Sequence, residues 1–206
     1  MSVAEFPHDT VARQSDVLQA AIDFVRRDGI GPMAVPANAR QSDVDALGDT
    51  PSIAQRLELL TAVAKEAISG LVTSLQAAIL DAQNATALAQ WRAMGHAFLR
   101  WAHDNPVQFQ VMSTPALVDL NASGLAEGYR HIRAELRRLI AAAAADGDIY
   151  CISVEDTLVS TRSFIYGLAR MHVDGHFPGW GVRDNEALST MQRLFDSYLY
   201  RLRRTL

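Results

Sequence analysis

A chain of 206 residues is long enough to bury a core and to form one larger domain beside a small one. Its 19 basic and 23 acidic residues nearly balance, which argues against a protein that binds polyanions by general charge attraction. Cys151 is the only cysteine, so an internal disulfide is excluded, and no stretch approaches twenty uncharged apolar residues. We therefore expect a soluble cytoplasmic protein without a membrane partner.

Three short helices are predicted in the first fifty residues. The first extends from about Thr10 and ends at Gly29, a residue type that commonly stops helices. Two further segments, Met33 to Arg40 and about Val44 to Thr50, flank a tight turn. This arrangement predicts a helix-turn-helix unit, and we take residues 10–51 as the first domain.

The longest predicted helix runs from Ser52 to Asp81, without a proline and with Gly70 as its one internal glycine. Its apolar residues recur at steps of three and four, the spacing of an amphipathic helix. Ser52 and Gln55 form a capping box at its start. At ~1.5 Å per residue the helix reaches roughly 45 Å, longer than a small domain is wide, so we expect it to join two parts.

Residues 52–206 are predicted to form a larger helical body. After the long helix, a helix is predicted through Leu88 to Trp101 that ends at Asn105-Pro106, followed by a short helical turn from Pro106 to Met112. An irregular connection is expected from Ser113 to Ser123. Three more helices are predicted, from about Leu125 to Ala145, from a cap at Ser153 to Val173, and from about Asp184 to Arg203.

Two sets of residues in this chain resemble a known family. The first set is Val17-Leu18-Gln19-Ala20-Ala21-Ile22-Asp23-Phe24-Val25, Asp28-Gly29, Val35, Ala39, Val44, Ile53 and Leu59-Leu60-Thr61-Ala62-Val63-Ala64. The second set is Asn105-Pro106 with Phe109 and Met112, and Phe164-Ile165-Tyr166-Gly167-Leu168-Ala169-Arg170-Met171-His172-Val173-Asp174-Gly175. They resemble the head and the body of TetR/AcrR-type bacterial regulators.

The chain departs from the family pattern in its head. The turn before the recognition helix usually reads Gly-Val-Ser in the family, and here it reads Asp43-Val44-Asp45. Thr50 and Ile53 stand where the family has a pair of aromatic residues, and in the body Tyr166 replaces a histidine of one subgroup. The head is therefore a degenerate version of the family's helix-turn-helix.

The resemblance implies an all-α fold, in which a three-helix head is joined by a long helix to a ligand-binding and dimerisation body. It also implies a homodimeric transcriptional regulator that binds double-stranded operator DNA and a hydrophobic small-molecule effector. The residues expected to contact DNA are Arg13, Arg40, Gln41, Ser42, Thr50, Ser52 and Arg56.

A second interpretation follows from the charge of the head. Between Val35 and Ile53 the chain carries three carboxylates, Asp43, Asp45 and Asp49, and its only base is Arg40. Neutralisation of phosphates supplies essentially all non-specific affinity for DNA, and this face offers little to neutralise them with. The alternative function is therefore a ligand sensor or interaction dimer that no longer binds DNA.

An aromatic stripe in the body begins at Trp91 and continues at helical spacing through Met94, Phe98 and Trp101. Such a stripe forms either a core or the wall of a pocket for a hydrophobic molecule, and the resemblance favours the pocket. The predicted pocket residues are Trp91, Met94, Phe98, Trp101, His103, Phe109, Met112, Tyr129, His131, Arg162 and Phe164.

Both of the last two predicted helices carry apolar residues on more than one side. A helix of this kind needs two partners, and after the body supplies one, a twin subunit supplies the other. The predicted dimer residues are Leu158, Ile165, Leu168, Leu188, Met191, Phe195, Tyr198, Leu199 and Leu202.

Catalytic and metal-binding motifs do not emerge from the sequence. His172 and His176 are four residues apart, but His176 follows the glycine at which the helix is predicted to end, so we expect a buried histidine rather than a metal site. Gly-x-Ser-x-Gly, Cys-x-x-Cys and phosphate-binding glycine loops are missing. We expect no enzyme activity and no cofactor.

Overall fold

The computed structural model describes residues 53–114, 118 and 124–203, together with positions 19, 22 and 23, although the side chains of 53–57 and 59 are outside this description. Apart from those three positions, the predicted unit at 10–51 lies outside the described residues, as do the cap at Ser52 and most of the predicted connection at 113–123. In the described part, the regular structure is helical apart from one antiparallel bridge between Ile149 and Arg203. The predicted all-α class is confirmed.

The helices of the body follow the predicted order. They are α1 (Ile53–Asp81), α2 (Ala87–Asp104), α3 (Pro106–Met112), α4 (Leu125–Ala145), α5 (Val154–Val173) and α6 (Ala187–Leu202). Two 3-10 helices, Phe177–Trp180 and Asp184–Glu186, connect α5 to α6. The final helix was expected from about Asp184, but that segment forms a 3-10 turn and the chain becomes α-helical only at Ala187.

Helix α1 is a single unbroken helix, as predicted. It packs against α2, α3 and α4, and its buried stripe includes Leu60, Ile68, Leu71 and Leu75. The segment Leu60–Asp81 is long and apolar enough to cross a membrane by length and composition alone. In this fold its apolar stripe forms part of the protein core.

Helix α2 lies at the centre of the body and packs against every other α-helix of the described part. It begins at Thr86, whose Oγ1 accepts a hydrogen bond from the Ala89 amide at 3.3 Å. Its approach to α6 requires a glycine, because a Cβ added at Gly95 would lie 2.0 Å from Cε1 of Phe195. The absence of a side chain at Gly95 thus makes room for the buried Phe195 ring.

The ends of α5 have the chemistry predicted for them. The Oγ of Ser153 accepts a hydrogen bond from the Asp156 amide at 3.1 Å, which satisfies one of the free donors of the first turn. The chain turns after Asp174 at Gly175, whose φ of 72° lies in the region that favours glycine. These caps fix where α5 begins and therefore which of its side chains face the body.

Candidate functional site

A cavity of 310 Å³ opens between α1, α2, α4 and α5. Most of its wall is apolar, and Leu71, Phe98, Leu136 and Leu158 are buried within the protomer. The residues that line it are Leu71, Phe98, Tyr129, Ile132, Arg133, Leu136, Glu155, Leu158, Val159, Arg162 and Ser163. An apolar cavity with few polar groups is the usual form of a site for a small organic molecule.

Arg162 is the less exposed of the two arginines that line this cavity. Its guanidinium carbon lies 5.2 Å from the ring centre of Phe98 and 4.8 Å from that of Tyr166, which places the charge over two aromatic faces. Burial lowers the pKa of Arg162, and the neighbouring tyrosines Tyr129 and Tyr166 act in the opposite direction. The guanidinium is therefore a cation that has lost part of its hydration.

Tyr129 contributes its ring to the cavity wall, while its hydroxyl is hydrogen-bonded outside the cavity. The phenol donates a hydrogen bond to the backbone carbonyl of Met112 at 2.9 Å, which ties α4 to the end of α3. Burial raises the pKa of Tyr129. The residue thus acts as a fixed, neutral part of the wall.

Glu155 lies at the rim and is occupied by arginines from α4. Its carboxylate accepts a hydrogen bond from Nε of Arg137 at 2.6 Å and lies 3.6 Å from a guanidinium nitrogen of Arg133. The hydrogen bond from Arg137 is the main cause of the lowered pKa of Glu155. This carboxylate therefore pairs with arginines of α4 and forms no ion pair with Arg162.

A smaller recess of 40 Å³ shares Phe98, Ile132, Leu136 and Arg162 with the cavity. It extends toward the core, where Trp91, Met94, Gly95 and Phe195 are among its lining residues. Nε1 of Trp91 is buried without a hydrogen-bond partner in the described part of the chain. The recess has room for a water molecule or a methyl-sized group.

Five of the predicted pocket residues meet around these two spaces. Phe98, Tyr129 and Arg162 line the cavity, and Trp91 and Met94 line the recess. Sequence reasoning missed the apolar wall contributed by α4 and the start of α5. A signal for the α4 wall was available, because Tyr129, Ile132 and Leu136 fall at the three- and four-residue spacing of one helix face.

The other predicted pocket residues lie elsewhere. Phe109 and Met112 are buried in the core. Trp101 lines a separate groove of 390 Å³ beside α1. Nε2 of His131 forms a hydrogen bond with Gln76 at 2.9 Å, and the ring of Phe164 stacks on Tyr198 at 4.9 Å.

His103 was also predicted to anchor a ligand, and the structure gives it a different neighbour. Its Nδ1 forms a 2.9 Å hydrogen bond with Nε2 of His172, and the two rings are stacked. His103 therefore joins α2 to α5. Among the residues that the structure describes, no group of three or more histidine, cysteine or acidic residues is arranged to hold a metal ion.

Six of the nine predicted dimer residues are buried within the described part of their own protomer. These six have almost no surface left for a partner, as the fully buried Met191 and Phe195 illustrate. The six are Leu158, Ile165, Leu168, Met191, Phe195 and Leu199. The remaining three, Leu188, Tyr198 and Leu202, are half-buried against that core.

A different face of α5 and α6 points outward. Phe164, Met171, Leu194 and Tyr198 are only partly buried against the core. Gly167 lies one turn beyond Phe164, and a Cβ added to it would meet no atom within 4 Å. We call the residues Phe164, Gly167, Met171, Leu194 and Tyr198 the outer seam.

The predicted DNA contacts are outside the described residues, apart from the backbone of Arg56 in α1.

Known proteins similar to this chain agree on its architecture. A family model described as the tetracyclin repressor-like C-terminal domain matches residues 91–196. A regulatory protein of the TetR family from Rhodococcus RHA1 is 19% identical with a TM-score of 0.66, and the match covers 94% of this chain and 98% of that one.

Two further solved structures show the same fold. A protein of unknown function from Rhodococcus sp. RHA1 is 18% identical with a TM-score of 0.65 and coverages of 93% and 95%. A structure described as a TetR family transcription regulator, from Shewanella sp. PV-4, is 18% identical with a TM-score of 0.51 and coverages of 88% and 95%. No curated protein matches this chain.

Proposed function

Because the chain belongs to the TetR family of transcriptional regulators, we propose that it is a cytoplasmic homodimer that binds operator DNA through residues 10–51 and a hydrophobic effector in residues 52–206. The observation that carries this proposal is the largely apolar cavity of 310 Å³ against α1. An effector there would contact the same helix that leads toward the head.

The path from effector to head passes along α1. Leu71 lines the cavity, and the helix continues without a break to Ile53, roughly 27 Å away at ~1.5 Å per residue. A ligand shifts an equilibrium between two conformations only if it binds one of them better. We propose that the effector favours one position of α1, and with it one separation of the two heads on DNA.

The outer seam supports the proposed dimer. Glycine inside a helix costs about 1 kcal/mol relative to alanine, and no atom of the described residues occupies the space beside Gly167. A partner helix that approaches closely would need it. One turn before Gly167, the partly exposed ring of Phe164 stacks on Tyr198, and the two rings supply apolar surface for the contact.

A second function is favoured by the charge of the head. Asp43, Asp45 and Asp49 would face phosphates in the expected position of the recognition helix, and like charges there weaken binding. The alternative is therefore a ligand sensor or interaction dimer that does not bind DNA.

Gel retardation at low salt separates the two functions. The DNA is the region upstream of the protein's own gene, and the regulator is expected to retard it with an affinity that falls as salt rises. Arg40→Gln should lower the salt slope by about one phosphate contact. Asp43→Asn combined with Asp45→Asn should strengthen binding. If neither the wild type nor this double variant retards the DNA, the sensor is the correct function.

A further inference from the structure

The charge of Arg162 has no counter-ion among the residues that the structure describes. The side chain lies over the rings of Phe98 and Tyr166, whose centres are 5.2 and 4.8 Å from the guanidinium carbon. Removing a cation from water is costly unless an anion or hydrogen-bond acceptors replace the water. The cavity thus contains a binding group whose natural complement is negative.

The acidic group at the rim does not supply that complement. Glu155 is held by Arg137 at 2.6 Å and lies 3.6 Å from Arg133. Three arginines and one glutamate therefore meet at and around the opening. The surplus charge is positive and favours entry of an anion.

The rest of the wall requires an apolar ligand body. Leu71, Phe98, Ile132, Leu136 and Leu158 contribute apolar side chains to the lining. The volume of 310 Å³ is at the lower end of the range of about 300–1,000 Å³ found for small-molecule sites. A ligand of this cavity is therefore small, and its polar group is confined to one end.

We propose that the effector is a small organic acid, whose carboxylate pairs with the guanidinium of Arg162 and whose hydrocarbon or aromatic body fills the cavity over Phe98 and Leu136. Two parallel N–H groups of a guanidinium match the two oxygens of a carboxylate. Arg162 lines both the cavity and the recess, so the acid group binds where the two spaces meet. This inference rests on the effector role proposed for the cavity.

The test compares each acid with its uncharged amide. Straight-chain acids from butanoate to decanoate, together with phenylacetate, are titrated into the full-length protein by calorimetry, and thermal shifts are recorded in parallel. The primary amides of the same acids are the matched probes. The acid of best-fitting length is expected to bind about tenfold or more tightly than its amide, because only the acid pairs with the guanidinium.

Variants at two arginines assign the preference to one residue. Arg162→Met keeps an unbranched side chain without the charge, and it should abolish the preference for acids while amides still bind. Arg162→Lys restores a cation without the two-pronged geometry and should recover part of the preference. Arg138→Met is the control and should keep it, because Arg138 is exposed on α4, pairs with Glu135 and does not line the cavity. Circular dichroism establishes that each variant is folded.

Two results would overturn the inference. Equal binding of acids and amides to the wild type, or an acid preference that survives in Arg162→Met, would show that Arg162 does not select the ligand, and the cavity would remain an effector site for neutral molecules. Failure of every acid and amide to bind would overturn both this inference and the proposed effector role of the cavity.

Discussion

The imidazoles of His103 on α2 and His172 on α5 are stacked with their ring centres 4.7 Å apart and share a hydrogen bond of 2.9 Å. Burial lowers the pKa of His172, and the proximity of His103 adds to this effect, while Asp184 acts against it. The ring of Phe177 lies 6.1 Å from His172 and contributes to the apolar surroundings. The folded protein therefore favours neutral His172.

The contact between His103 and His172 predicts that the free energy of unfolding falls at acidic pH. The pKa of His172 is below its ordinary value of 6.5 in the folded chain, so the unfolded chain binds more protons near that pH. The stability contribution is complete above pH 6.5 and is lost as pH falls through the lowered folded-state pKa. Urea unfolding between pH 8 and pH 5 should show a shallower decline for His172→Gln than for the wild type. His131→Gln lies outside this contact, so its free energy of unfolding should change with pH as that of the wild type does. An equal dependence on pH in all three proteins would contradict the prediction.

Asp196 on α6 joins two side chains of α2. It accepts two hydrogen bonds of 2.6 Å from Arg92 and one of 2.7 Å from His96. Burial acts to raise the pKa of Asp196, but the hydrogen bonds from Arg92 and His96 outweigh it and the pKa is lowered. The stability that this cluster adds is therefore lost as pH falls from 3.8 through the lowered pKa of Asp196.

A double-mutant cycle measures this contact. Arg92→Gln and Asp196→Asn, singly and together, should give a coupling free energy of about 0.5–1 kcal/mol, because both side chains keep much of their hydration. The coupling free energy should be smaller in 1 M salt, because the electrostatic screening length there is only about 3 Å. A coupling of zero at low salt would show that the pair does not hold α2 to α6.

Gly95 should tolerate no side chain. The Cβ of alanine would lie 2.0 Å from Cε1 of Phe195, whose ring is fully buried and cannot move into solvent. Gly95→Ala is expected to lower the free energy of unfolding by about 1–3 kcal/mol, measured by urea denaturation. Gly70→Ala is the control, because its Cβ meets only Trp101 at 3.6 Å, and alanine should add up to about 1 kcal/mol. Equal effects of the two substitutions would refute this account.

Gly167 tests the proposed dimer. Gly167→Leu places a side chain in open space within the protomer, so the fold should persist by circular dichroism. In the proposed dimer the same side chain would hold the partner helix away. Size exclusion with light scattering at micromolar concentration should therefore show a monomer. Glu127→Leu, an exposed position on α4, should remain dimeric. A dimeric Gly167→Leu would move the interface away from the outer seam.

The helices of the body could be predicted because their ends are set by local chemistry. Ser153 and Gly175 bracket α5, and Asn105-Pro106 separates α2 from α3, as their backbone preferences require. The 3-10 helix Phe177–Trp180 carried no comparable signal. It depends on Gly181, which closes it at a φ of 75°.

The candidate site was only partly predictable because periodicity identifies a buried face without identifying what buries it. Met191, Phe195 and Leu199 are spaced as a contact face, but their neighbours belong to the same chain. Arg162 and Tyr129 were anticipated as pocket residues. Their position beside Leu136 and Leu158 depends on how α4 packs against α5, a long-range relationship that neither helix encodes alone.

Because α1 is continuous, a small tilt near one end of the helix displaces its other end by a larger distance. The helix has no break between Leu71 and Ile53, so we expect an effector beside Leu71 to tilt this segment as one piece. A rotation of about 5° over a length of roughly 27 Å displaces the far end by roughly 2 Å. In the proposed mechanism, a small adjustment beside Leu71 would therefore produce a larger displacement at the Ile53 end of α1.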